Sequence, residues 1–102
     1  MLMQWLSLTN IERAVLIALY QSHNTGLYAS TIAHEVNKLL DIIIDDYIIG
    51  DVMENSLMPL GLAKLPYSDN RFSASAFYML TEYGYSLTHT MIMYHNVLEN
   101  LR

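Results

Sequence analysis

The sequence predicts a mainly α-helical single domain, residues 1–102, with a small two-stranded β-hairpin before its last helix. Three observations carry this. Apolar residues recur at helical spacing in three successive stretches before Gly61. The period then shortens toward alternation between Leu62 and Leu80. Helical spacing returns after Thr81 and runs to the end.

The first helix spans 9–21. Thr9-Asn10-Ile11-Glu12 is a capping-box pattern, a hydroxyl followed three residues later by a carboxylate able to reach back. Ile11, Ala14, Val15, Ala18 and Leu19 then form one stripe. Leu16, Ile17 and Tyr20 lie off that stripe, which gives the helix a second apolar side. Ser22 to Gly26, "SHNTG", breaks it.

The second helix spans 29–40, with Ile32, Val36, Leu39 and Leu40 turned inward. Asp41 to Ile44 connects it to the third helix, 45–58, and Asp41 reads as a solvated loop charge. Asp45 and Asp46 stand where an N-cap belongs and favour the positive end of the helix dipole. Ile49, Val52, Met53, Ser56, Leu57 and Leu60 make the buried stripe. Pro59 disfavours helix in the residue before it, so regular helix stops near Met58, and Gly61 suits a left-handed cap.

The hairpin spans 62–80. Leu62 to Tyr67 reads as a short edge strand ended by Pro66, and "SDNR" (Ser68 to Arg71) as its turn. The return strand, Phe72 to Leu80, sets Phe72, Ala74, Ala76, Tyr78 and Leu80 on one side. Thr81 caps the C-terminal helix, 81–101. Leu87, Met91, Tyr94, Leu98 and Leu101 repeat there at spacings of 4, 3, 4 and 3, a heptad seam suited to a homodimer.

The composition is 53% hydrophobic and only 15% charged, unusually apolar for a domain of this size, which again points to surface covered by a partner copy. There is no cysteine, so neither disulfide nor thiolate chemistry is available. "MLMQWL" lacks a basic signal-type start, and the apolar run Ala14 to Tyr20 is far short of a bilayer span. A cytoplasmic protein with no membrane association is expected. The net charge is −5, and Asp41, Asp45, Asp46, Asp51 and Glu54 fall between residues 41 and 61 with no Lys or Arg among them. The remaining five acids balance the five bases.

Catalytic and metal motifs are missing. No two of His23, His34, His89 and His95 stand four apart on one helix, and no cysteine completes a ligand set. Gly26, Gly50, Gly61 and Gly84 form no phosphate-cradling loop, and no Ser, His and Asp spacing suggests a nucleophile with its base. The expectation is no enzyme, no metal and no cofactor.

Helix, helix, helix, hairpin, helix is the order of a winged helix-turn-helix domain. "LTNIERAVLIALY" (Leu8 to Tyr20) resembles the first helix of the PadR-like regulators. "LMPLGL" (Leu57 to Leu62) resembles the end of their recognition helix. "FYMLTEYG" (Phe77 to Gly84) is similar to the stretch closing their wing. The likeness runs from Leu8 to about Leu98. It implies a dimer formed through the C-terminal helix and a transcriptional regulator reading DNA with the third helix and the wing.

The third helix departs from that family's habit, because its outer face carries Tyr47, Asp51, Glu54, Asn55 and Met58. DNA affinity comes largely from neutralising phosphates, and an acidic face opposes it. The leading expectation is therefore a homodimeric winged-helix regulator that uses these five residues on a protein partner, as an inhibitor or DNA mimic acting on a host factor. The alternative is a PadR-like sequence-specific DNA-binding regulator, with Tyr47 and Asn55 on bases and Lys64 and Arg71 on phosphates. A third reading is an oligomerisation module of a larger assembly.

Overall fold

The computed structural model describes residues 2–23, 25–66 and 76–100, the last four as backbone only. Its helices are α1 (Leu2–Ser7), α2 (Asn10–Gln21), α3 (Ala29–Leu40), α4 (Asp46–Val52) and α5 (Glu82–Asn100). Without a break, α4 runs on into a π-helical turn, Met53–Leu57. The strands are β1 (Leu27–Tyr28), β2 (Ala63–Lys64) and β3 (Phe77–Leu80).

The expected two-stranded hairpin is one part of a three-stranded antiparallel sheet ordered β1-β3-β2. Leu27 pairs with Tyr78 and Tyr28 with Phe77 on one side of β3; Ala63 pairs with Leu80 and Lys64 with Met79 on the other. Two residues of β1 hold no alternation to read, so only the pairing with β3 makes them a strand. Helix α1 is a second addition. It is too short to show a period, and it exists by docking, with Trp5 packed on the core and the Tyr83 hydroxyl donating to Gln4 Oε1. The Ser68–Arg71 turn, Phe72 and Ala74 lie outside the described residues.

Helices α2, α4 and α5 begin at side-chain caps. Glu12 N–H donates to Thr9 Oγ1 at 3.1 Å and Thr9 N–H to Glu12 Oε1 at 2.7 Å, closing the capping box of α2. Ile48 N–H donates to Asp45 Oδ1 at 3.0 Å, and Gly84 N–H to Thr81 Oγ1 at 2.9 Å. Each such cap is worth about 1 kcal/mol. Asp41 is more than a loop charge: it ends α3 in the left-handed conformation, φ 55°, its N–H donating to the Asn37 carbonyl.

The core gathers both stripes of α2 with the inner faces of α3, α4, the sheet and α5. Val15, Leu16, Leu19, Ile32, Val36, Ile49, Met53, Leu57, Leu62, Tyr78, Leu80 and Leu87 are fully or almost fully buried in it. Leu16 is thus covered from within the chain, and Tyr20 packs on Tyr85 and His89 of α5, with ring centroids 5.1 and 5.8 Å away. The second apolar side of α2 is largely an intramolecular contact.

Three expected positions change. Leu39 is exposed, because α3 ends one residue later and only Leu40 follows the core. Leu60 is also exposed, because the wide π-helical turn and Pro59 rotate it off the phase of a straight α-helix. Leu87 and Met91 belong to the chain's own core, so neither is free for a dimer seam. Tyr94 remains 49% exposed, and the side chains of Leu98 and Leu101 lie outside the described residues.

Candidate functional site

The candidate face is the outer side of α4 together with the segment leading into it. Its position depends on Asn37. The carboxamide nitrogen donates to the Ile44 carbonyl at 3.0 Å, and Ile44 N–H donates to the carboxamide oxygen at 2.8 Å. This clamp holds residues 42–44 extended beside the end of α3. Alternation then turns Ile42 and Ile44 onto the core and leaves Ile43 97% exposed.

Tyr47, in the first turn of α4, is 62% exposed, and Ile48 beside it is exposed as well. Asp51 and Asn55 follow on the same outer side, with Asn55 Nδ2 donating to Asp51 Oδ1 at 2.6 Å. Three of the five expected residues, Tyr47, Asp51 and Asn55, are therefore brought together at the surface. Glu54 and Met58 are not. Both are half-buried, and Met58 packs against the core.

The π-helical turn explains that difference. A hydrogen bond from Met58 N–H to the Met53 carbonyl, 2.9 Å, spans five residues in place of four. Each residue in such a turn advances less around the axis, so Leu57 swings inward and Met58 follows it toward the core edge. Buried residues at a uniform spacing of four, Ile49, Met53 and Leu57, suit this wider turn. Ser56 is carried toward α2, where its hydroxyl donates to the Glu12 carboxylate. Burial tends to raise the Glu12 pKa. Hydrogen bonds from Ser56 and Thr9, with the charge of Arg13, outweigh it and hold the carboxyl below its ordinary value.

The described cations belong to other elements. Lys38 pairs with Glu35 at 3.2 Å, and the Arg13 guanidinium donates twice to the Leu8 carbonyl. Lys64 is exposed on β2, and Arg71 lies outside the described residues. Every charge on residues 41–61 is negative, so the field at the α4 face attracts cationic groups and repels polyanions. A base approaching Asn55 would also meet the Asp51 carboxylate bonded to it.

Sequence reasoning missed Ile43 and Ile48 as exposed apolar side chains beside Tyr47, and Leu60 as exposed beyond the π-helical turn. The run Ile42-Ile43-Ile44 held a usable signal, since an extended segment cannot bury three consecutive side chains on one core. Leu60 held none, because its exposure follows from the π-helical turn.

Among the described residues, no group of three His, Asp or Glu side chains is placed to hold a metal ion. No described helix is long and apolar enough to cross a membrane. Comparison with protein-family models, with curated proteins and with solved structures yields no match.

Proposed function

We propose that this chain is a non-enzymatic, cytoplasmic winged-helix regulator that acts through a protein contact made by the outer face of α4. The observation that carries the reading is the exposed Tyr47 beside the bonded Asp51–Asn55 pair, on a stretch with five acids and no base. Aromatic side chains supply large contact areas at interfaces, and the acids select a basic partner surface. Ile43 and Ile48 extend the apolar part of the contact. The winged-helix reading is supported by a helix order that places α4 before β2 and β3, with β1 completing the sheet.

In this reading the protein works as a homodimer joined by the distal half of α5. Met93 and Tyr94 are exposed there, and Leu98 and Leu101 continue the heptad in sequence. Leu87 and Met91 hold the base of the helix on its own domain.

The second reading, a PadR-like DNA-binding regulator, is favoured by the exposure of Tyr47 and Lys64. It needs cations at the α4 face that the described residues do not provide. Affinity capture from the native cell, with and without nuclease, separates the two. A captured protein that survives nuclease and is lost with Asp51→Lys and with Tyr47→Ala supports the protein contact. Recovery of DNA, strengthened by Asp51→Lys, overturns it in favour of the DNA reader.

A further inference from the structure

A groove of about 410 Å³ opens between α1, residues 10–17 of α2, the end of α3 and the distal part of α5. It lies within the size range of small-molecule sites, though near its lower end. Its walls are mostly apolar, with Trp5, Ile17, Leu40, Met91 and Ile92 among them, and Asn10 and His95 are its uncharged polar members. Within this lining stands one permanently charged side chain, Arg13.

The state of Arg13 decides what the groove suits. The guanidinium has five N–H donors. Nε and Nη2 each direct one at the Leu8 carbonyl, at 3.2 and 2.6 Å, which fixes the group against the chain. Three donors are left over. Among the described residues no carboxylate lies within ion-pair distance of it; the Glu12 carboxylate feels its charge but spends its hydrogen bonds on Thr9 N–H and the Ser56 hydroxyl, so the three donors stay open to a ligand. A half-buried cation beside an apolar groove gains most from an anion that brings its own apolar body. The anion makes a charge-assisted hydrogen bond to the guanidinium while the body displaces water from the walls.

We propose that this groove binds small amphipathic carboxylates, the apolar chain lying along Trp5, Ile17 and Ile92 and the carboxylate meeting Arg13. No feature of the acidic α4 face enters this assignment, so it stands or falls independently of the protein contact.

Trp5 is the sole tryptophan of the chain, so its emission reports occupancy directly. The full-length protein is titrated with decanoate, decanol and decylammonium, all below their micelle concentrations. Decanoate should give a saturable change in Trp5 emission, with affinity about tenfold or more above both others. Arg13→Gln should lower decanoate to the level of decanol and leave decanol unchanged. If Arg13→Gln fails to fold, Ile17→Glu provides the second arm: it places a carboxylate one turn from Arg13 on the same face and should abolish the preference for decanoate. Equal responses to the three amphiphiles, absence of a saturable response, or a preference for decanoate that survives in a folded Arg13→Gln protein would each overturn the assignment. So would an emission change that follows protein concentration and no added amphiphile, which would give the groove to a second copy of the chain.

Discussion

The Glu12 carboxylate, in the first turn of α2, accepts a hydrogen bond from the Ser56 hydroxyl in the π-helical turn, tying together segments 44 residues apart. The same carboxylate closes the capping box with Thr9, so one side chain serves both a helix start and a tertiary contact. Because the Glu12 pKa is lowered on folding, its ionised form is favoured in the native state. The resulting stability is present above the ordinary glutamate value and disappears as pH falls through the lower, folded value. Urea titrations across the acid range should show this loss, and Glu12→Gln should flatten that part of the profile. At neutral pH, Ser56→Ala should cost about 1–2 kcal/mol.

Asn37→Ala removes both bonds to Ile44 and leaves a half-buried N–H and carbonyl without them. A loss of about 2 kcal/mol in urea unfolding is expected. The variant should also lose partner binding beyond what destabilisation explains, since the clamp positions Ile43 and Tyr47. A protein of unchanged stability and unchanged binding would show that the connection orders itself.

Gly84 and Gly61 should respond differently to alanine. A Cβ at Gly84 would collide with the Leu62 carbonyl oxygen, which precedes β2 and accepts from Thr81 N–H just before α5. Gly84→Ala therefore requires the α5 start to move and should cost about 3 kcal/mol or more. Gly61 has open space around it but sits at φ +74°, so Gly61→Ala should cost only about 1 kcal/mol from backbone strain. Thermal unfolding of the two variants side by side checks the order.

Tyr94→Asp should halve the native mass measured by light scattering, with helix content unchanged by circular dichroism. Tyr94 is half-exposed, so the substitution places a charge at the proposed joint without emptying the core. A mass equal to that of the parent would remove α5 as the dimer contact.

Much of this molecule could be read from residue order alone. The capping box at Thr9, the Asp45 cap and the Thr81 start of α5 all follow from local chemistry, in which each side chain meets backbone within four residues, and the extent of α3 follows from its apolar period. The negative charge of the α4 region is likewise a property of composition along the chain. Tertiary structure decided the rest. Helix α1 and strand β1 are too short to carry a period and exist only against α5 and β3. The π-helical turn withdrew Glu54 and Met58 from the outer face, and packing on the core took Leu87 and Met91 from the heptad. Periodicity specifies which side chains share a side of a helix. What covers that side depends on segments distant in sequence, and it is this long-range packing that chose which expected residues reach the surface.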